Sequence, residues 1–399
     1  MYEEKAPQSA WKPTKRLRSL KPVWRAAHDG RAEPEALGSL LDGDTVVRAA
    51  FDRVRAFGTD SGEQRWAWEV PGRDVLSAVA DEPMDGVTLL AHRPDTSDDG
   101  EKAGGVTALD TASGKELWSA RLNLSGLWHH DHGLRAGTLA LSGRRAAVAT
   151  VDGVVAYDAR TGGRVWSVPH DPDRGARIAA GGGRLVLVTG DSGTATIRSM
   201  RLADGSVLWE KPLPVDGPVD EVRLLGADPL LLAVVGEGRR GRQCLLRLGE
   251  DGGTVMEIPM AGDHGTIEPD HWDVADVRRR LVVAADTLMA FVRPSPEDPL
   301  VRLAGFSPTT GRHLWTWDRW GIGALTLHRG HVVAVRHSDE FRSAAFVLDP
   351  ATGREVAHRP LRTTGQDTPY TLHMRGGRLL WVGKRSTAAT APVKAYDWR

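Results

Sequence analysis

The chain has 399 residues and a formal net charge of +0, so its overall charge gives it no reason to bind nucleic acid or an anionic membrane. No stretch approaches the roughly 18 consecutive apolar residues of a membrane-spanning helix, so the sequence predicts no transmembrane segment. The single cysteine, Cys244, excludes an intrachain disulfide, and we expect a cytoplasmic location, or an extracytoplasmic one if the chain belongs to an anchored protein.

Residues 1–20 are predicted to form a flexible basic arm ahead of the folded part. Trp11 is followed by Lys15, Arg16 and Arg18, with leucines interleaved. Such an arm could bind an acidic protein partner. The alternatives are a solvated lead-in to the first strand, or contact with a membrane surface or nucleic acid.

From residue 21 onward a turn recurs in which a tryptophan stands four residues after a glycine. The five copies are Gly62 with Trp66, Gly114 with Trp118, Gly162 with Trp166, Gly205 with Trp209, and Gly311 with Trp315. Two more copies keep the glycine and replace the tryptophan, by Met256 and by Ala357. The glycines follow one another at about 42 to 59 residues, inside or just above the period of propeller blades. The repeat therefore predicts one domain built as a ring of four-stranded sheets.

The copy around Gly162 shows how one blade is predicted to form. Short β-rich segments at 134–141, 145–150, 154–158 and 164–168 are separated by glycine and aspartate turns. Trp166 then lies on the outermost strand, where its ring can pack against the neighbouring blade.

The two ends of the chain complete each other. Trp24 lies in a predicted fourth strand with no third strand before it, and residues 394–399 end in a third strand with no fourth. We therefore predict an all-β, eight-bladed β-propeller over residues 21–399, in which the N-terminal strand completes the C-terminal blade. The predicted structural tryptophans are Trp24, Trp66, Trp118, Trp166, Trp209 and Trp315.

Two connections between blades are rich in histidine. His129, His130 and His132 follow the second blade, and His264, His271 and Trp272 follow the fifth. Because both segments join an outer strand to the next inner strand, the two clusters could face each other across the funnel. Imidazole and carboxylate groups at this density could bind zinc or a similar metal, or they could contact a partner or simply be solvated.

Three insertions separate second and third strands, which places them on the same face as these connections. Residues 94–102 are acidic, 236–242 are basic and 294–299 are rich in proline. Loops on a rigid scaffold often carry function, so these segments indicate either a charged partner surface or ordinary loop variation.

The copies around Gly114 and Gly162 resemble the repeats of pyrroloquinoline-quinone (PQQ)-type β-propellers, which include quinoprotein alcohol dehydrogenases and BamB-like outer-membrane assembly scaffolds. The resemblance implies a quinone in the funnel only for the dehydrogenases, beside a calcium or lanthanide ion, a catalytic aspartate and two adjacent cysteines. Here Cys244 stands alone and Asn123 is the single asparagine, which argues against PQQ-dependent dehydrogenase activity.

No Gly-x-Ser-x-Gly elbow, Walker-type loop or His-Glu-x-x-His motif is present. The sequence therefore predicts a non-catalytic scaffold without a bound cofactor, which binds a protein partner through its loops and its arm. The alternative is a ligand- or metal-binding propeller, either sensor or enzyme, with a funnel site built from the histidine- and tryptophan-containing loops.

Overall fold

The computed structural model describes residues 19–28, 35–72, 74–80, 84–94, 103–124, 137–172, 175–190, 195–217, 219–236, 241–267, 281–284, 286–295, 301–336, 343–363, 368–387 and 390–398. Within these ranges the regular structure consists of eight four-stranded antiparallel sheets and one two-stranded hairpin. The predicted all-β, eight-bladed propeller is confirmed.

Each of the first seven blades is a meander of four consecutive strands, numbered from the centre of the ring outward. Blade 1 contains β2 (Ala36–Asp42), β3 (Thr45–Ala50), β4 (Arg53–Gly58) and β5 (Gln64–Glu69). Blade 2 contains β6 (Asp74–Val79), β7 (Val87–Pro94), β8 (Ala103–Asp110) and β9 (Glu116–Asn123). Blade 3 contains β10 (Leu139–Ser142), β11 (Arg145–Thr150), β12 (Gly153–Asp158) and β13 (Arg164–Pro169). Blade 4 contains β14 (Ala176–Gly181), β15 (Arg184–Thr189), β16 (Thr196–Arg201) and β17 (Val207–Pro212).

The remaining blades follow the same order, with a small hairpin between blades 5 and 6. Blade 5 contains β18 (Val219–Ala227), β19 (Leu230–Gly236), β20 (Cys244–Leu248) and β21 (Thr254–Pro259). The hairpin contains β22 (Ala261–Gly262) and β23 (Gly265–Thr266). Blade 6 contains β24 (Leu281–Ala284), β25 (Thr287–Val292), β26 (Arg302–Phe306) and β27 (His313–Trp317). Blade 7 contains β28 (Ile322–His328), β29 (His331–Arg336), β30 (Ala344–Leu348) and β31 (Glu355–Pro360).

Blade 8 is assembled from both ends of the chain. Its inner strands are β32 (Pro369–Arg375), β33 (Arg378–Gly383) and β34 (Val393–Asp397), and its outermost strand is β1 (Pro22–Arg25). β1 pairs antiparallel with β34, with Trp24 opposite Ala395. The predicted closure by the N-terminal strand is therefore confirmed, and it covers the edge that β34 would otherwise expose.

The contact between blades 8 and 1 is also fixed by polar side chains. Arg48 is 2% exposed, and its guanidinium donates from Nε to the carbonyl of Gly383 and from Nη2 to that of Lys384, both at 3.2 Å. His28 Nδ1 lies 3.2 Å from Ser386 Oγ. Since these groups come from opposite ends of the chain, they add to the closure that strand pairing provides.

The repeat tryptophans join neighbouring blades. Each lies on an outermost strand against the glycine of the next blade's turn, and its indole N–H donates to a carbonyl of that turn. The pairs, each with its indole acceptor, are Trp24 with Gly62 (Thr59 O, 3.1 Å), Trp66 with Gly114 (Thr111 O, 2.9 Å), Trp118 with Gly162 (Ala159 O, 2.7 Å), Trp166 with Gly205 (Leu202 O, 2.9 Å), Trp209 with Gly252 (Glu250 O, 2.6 Å) and Trp315 with Gly353 (Pro350 O, 3.0 Å). The tryptophan therefore links two blades rather than stabilising its own.

Substitution of Gly114, the glycine that Trp66 contacts, tests the packing between blades 1 and 2. Its φ is +71°, and an added Cβ would lie 2.5 Å from Trp66 Cδ2, whereas Gly43 has a φ of +55° with nothing within 4 Å of an added Cβ. We expect Gly43→Ala to lower the free energy of unfolding by about 1–2 kcal/mol through backbone strain alone. Gly114→Ala is expected to cost about 1–3 kcal/mol more because the indole must move. Urea denaturation measures both, and equal losses would contradict the packing role of Gly114.

Candidate functional site

The eight innermost strands surround a central cavity of about 750 Å³. Aliphatic side chains dominate its walls, among them Leu37, Val79, Leu225, Leu325 and Leu372. The size lies within the range of small-molecule pockets, and the walls offer polar as well as apolar surface.

The polar groups of the cavity are few. Asp228 is the one charged side chain among the described residues that line it, and neither lysine nor arginine is present there. Ser39 Oγ lies 2.9 Å from His373 Nε2, so this pair already forms a hydrogen bond. PQQ carries carboxylates and would need cationic partners, together with clustered oxygen ligands for a hard cation. The described lining does not fit such a cofactor.

Metal and thiol chemistry find little support in the described ranges. They contain no group of three or more histidine, cysteine, aspartate or glutamate side chains that could hold a metal ion. Cys244 is fully buried in blade 5, and burial, with a smaller effect of Glu257, raises the pKa of its thiol to about 12. A thiol with so high a pKa is a poor nucleophile at neutral pH.

The two faces of the ring differ in their connections. In an antiparallel meander, the turns between strands 1 and 2 and between strands 3 and 4 lie on one face, which we call the turn face. The loop face carries the connections between strands 2 and 3 and those between blades. Seven of the eight connections between strands 1 and 2 contain two residues, as between β2 and β3. The strand pairs β7–β8, β9–β10 and β23–β24, which are separated by longer stretches of sequence, have their joined ends on the loop face.

The sequence-predicted site residues fall mainly in these long connections. His129, His130 and His132 lie between β9 and β10, and His271 and Trp272 lie between β23 and β24; all five are outside the described residues. The insertions at 94–102, 236–242 and 294–299 connect second to third strands, as predicted, and their central parts are likewise outside the described ranges.

His264 is the one predicted histidine whose position is described. It lies at the tip of the β22–β23 hairpin, with its ring 4.9 Å from that of Phe306 and 5.9 Å from that of His313. It does not belong to the residues that line the central cavity. Burial lowers the pKa of His264, and the neighbouring His313 lowers it further.

Sequence reasoning missed a buried polar network in blade 2. His92 is 4% exposed, its Nδ1 lies 2.7 Å from Asp74 Oδ2, and its Nε2 lies 3.1 Å from Thr107 Oγ1. The residue types match a nucleophile triad, but Thr107 is 0% exposed and cannot reach a substrate. The network therefore satisfies buried polar groups, and a histidine within an otherwise apolar strand was the available signal.

The predicted arm residues Trp11, Lys15, Arg16 and Arg18 lie outside the described residues. The described chain begins beside blade 7, where the Leu20 N–H donates to Pro360 O at 2.8 Å. Among the described residues, no helix is long and apolar enough to cross a membrane.

A comparison with family models finds that the PQQ_2 model, described as outer membrane protein assembly factor BamB, matches residues 19–126 and 102–356. A quinohemoprotein alcohol dehydrogenase from Comamonas testosteroni is 28% identical over 172 residues, which is 40% of this chain and 23% of that protein. The match thus spans about a quarter of the relative's length.

Solved structures share the fold at low sequence identity. BamB from Moraxella catarrhalis has a TM-score of 0.52 and 16% identity, covering 95% of this chain and 97% of that one. The computationally designed Ika8 protein has a TM-score of 0.58 and 14% identity, covering 94% and 99%. Since natural and designed proteins share it, the fold alone does not select an activity.

Proposed function

The chain belongs to the PQQ_2 family of BamB-like β-propellers, and on that premise we propose that it is a non-catalytic scaffold that binds a protein partner. The partner is expected to bind the loop face and the basic arm within residues 1–20. The family match over most of the chain carries this proposal, because the family model is described as an assembly factor.

The contrast between the two faces supports a binding role. The loop face concentrates the long and charged connections, while two-residue turns dominate the strand 1–2 connections of the turn face. Long loops held by a rigid ring can vary in sequence without disturbing the blades. The scarcity of charged side chains among the described residues that line the cavity and the buried state of Cys244 favour binding over chemistry.

Affinity capture from the native host, followed by intact-complex mass spectrometry, tests the proposal with face-specific variants. The loop-face variant is Arg239→Glu with Arg240→Glu, and the arm variant lacks residues 1–18. The turn-face control is Arg329→Glu with Arg375→Glu, since both arginines are exposed. We expect a stoichiometric protein partner with the wild type and the control, and its loss with the loop-face or arm variant. A partner lost only with the turn-face control would overturn the proposed surface.

The partial match to a quinohemoprotein alcohol dehydrogenase favours one alternative, a ligand or metal site on the funnel side. That site predicts that alanine at His130 and His271 abolishes binding of a metal or small molecule while the fold remains intact. Native mass spectrometry of the purified chain, with and without added zinc, distinguishes this alternative from a scaffold.

The cellular location also stays a prediction. The single cysteine fits the cytoplasm, whereas the family description names an outer membrane assembly factor. Fractionation of the native host with an antibody against the chain decides between the two.

A further inference from the structure

The seam between blades 5 and 6 lacks the tryptophan contact that joins most other blades. Met256 stands at the repeat position of β21, and it is 2% exposed. Gly311 of blade 6 faces the carbonyl of Glu257 and the side chain of Ile258 instead of an indole. Because a methionine has no N–H to donate, this side chain gives the seam apolar contact without the interblade hydrogen bond found at the tryptophan seams.

The β22–β23 hairpin crosses this seam. It continues directly from blade 5, where the Ile267 N–H donates to Met260 O at 2.6 Å. It is joined to blade 6 by a reciprocal pair of hydrogen bonds, from Thr266 N–H to Arg293 O at 2.7 Å and from Arg293 N–H to Thr266 O at 2.8 Å. The hairpin thus provides the main-chain link between blades that the missing indole does not.

Two imidazole rings flank one phenyl ring at the tip of the hairpin. The His264 ring meets the Phe306 ring edge-on, at 4.9 Å and 89°, and lies 5.9 Å from the ring of His313. The Phe306 and His313 rings are 5.6 Å apart. Phe306 is 0% exposed, so the hairpin tip packs on the apolar interior of the seam.

The surroundings of His264 disfavour its charged form. Burial lowers the pKa of His264 and His313 lowers it further, while the Met260 and Pro259 carbonyls and the Asp263 carboxylate act in the opposite direction. On the preceding strand, the Glu257 carboxylate is engaged by Arg242 at 2.5 Å. On the blade 6 side, Arg293 meets the hairpin through its main-chain N–H and carbonyl.

We propose that the β22–β23 hairpin is an acid-sensitive closure of the seam between blades 5 and 6, released when His264 becomes protonated beside His313 and Phe306. The neutral imidazole packs on the phenyl ring, whereas the imidazolium must regain water and move away from a second histidine. Release breaks the Thr266–Arg293 pair and removes the hairpin tip from Phe306, which belongs to the same buried apolar cluster as Met256, Ile258 and Met260.

The direction of the pH dependence follows from the lowered pKa in the folded state. The hairpin keeps its full stability above the ordinary histidine pKa of about 6.5 and loses stability as the pH falls below that value toward the folded-state pKa. The affected window is therefore the mildly acidic range, where the carboxylates of the ring remain ionised.

Hydrogen exchange followed by mass spectrometry at pH 7.5 and pH 5.5, corrected for the intrinsic rate, tests the proposal on the full chain. We expect protection of peptides covering 261–267 and 287–293 to fall by up to about tenfold at pH 5.5, the largest change that one histidine with an ordinary pKa of about 6.5 can produce over this range. The seam between blades 4 and 5, held by Trp209 and Gly252, is the internal control and is expected to keep its protection.

His264→Phe keeps an aromatic ring against Phe306 but cannot be protonated, so its hairpin is expected to stay protected at both pH values. His313→Phe is expected to reduce the pH effect because it removes the second imidazole. Unchanged wild-type protection at pH 5.5 would overturn the proposal. The proposal would also be overturned if both variants lost protection at pH 5.5 as the wild type does. If the hairpin of His264→Phe is already unprotected at pH 7.5, the result for His313→Phe decides the test.

Discussion

Replacing Trp66 with alanine is expected to lower the free energy of unfolding by about 3–5 kcal/mol. Trp66 is 8% exposed, packs against Gly114 of the next blade and donates its indole N–H to Thr111 O at 2.9 Å. The substitution removes a large apolar side chain from the seam between blades 1 and 2 and leaves that carbonyl without its indole donor. Chemical denaturation with an unchanged m-value measures the loss.

Two comparisons make the test specific to the seam. Val165 is 41% exposed beside Trp166, and Val165→Ala is expected to change stability by less than about 0.5 kcal/mol. Trp209 is only half-buried, so Trp209→Ala is expected to cost less than Trp66→Ala. If Trp66→Ala left the denaturation midpoint where the wild type has it, the interblade role of the tryptophan would be wrong.

The fold was predictable because packing imposed a period on the sequence. A glycine with positive φ and a tryptophan four residues later recur in five of the eight blades, and this spacing survives wide variation elsewhere in the blade. What the spacing did not reveal is which glycine each tryptophan contacts. Trp66 packs on Gly114 and not on Gly62 of its own turn, because the outermost strand faces the neighbouring blade.

The sequence showed which copies of the repeat lack a tryptophan, but it did not show which contacts replace the missing indole. Met256 and Ala357 mark the seams that lack an indole, and each seam has a main-chain link from outside the regular blades. At Met256 the link is the β22–β23 hairpin, and beside Ala357 it is Leu20, which bridges to Leu361. Neither link follows a period, so no pattern in a single sequence could place it.

The candidate site was less predictable than the fold, because its contacts join residues that are far apart in the sequence. Histidine-rich segments indicate polar connections, but their chemistry depends on which ring side chains they meet. His264 packs on Phe306, and His92 pairs with Asp74 inside blade 2, although neither partner is near in sequence to its histidine. The walls of the cavity come from eight separate strands, and the lack of lysine and arginine among their described lining residues emerges only when these strands are brought together.

Removing residues 1–25 is expected to be the most damaging change to the ring, whereas removing residues 1–18 is expected to leave its stability nearly unchanged. The longer deletion removes β1, its pairing with β34, and the contact of Trp24 with Gly62. Trp24 is half-buried, so loss of its indole contact alone is expected to cost less than loss of the buried Trp66, and the lost strand adds an exposed edge that favours aggregation.

A synthetic peptide of residues 19–28 distinguishes loss of closure from a general folding defect. If β1 acts by completing blade 8, the peptide is expected to raise the melting temperature of the shortened chain in a concentration-dependent way, since it binds only the folded ring. The same peptide with Trp24→Ala is the matched control and is expected to rescue less, because it can pair with β34 but cannot contact Gly62. If the chains lacking residues 1–25 and residues 1–18 were equally stable, closure by the N-terminal strand would be contradicted. If the two peptides rescued the shortened chain equally, closure would depend on strand pairing and not on the indole.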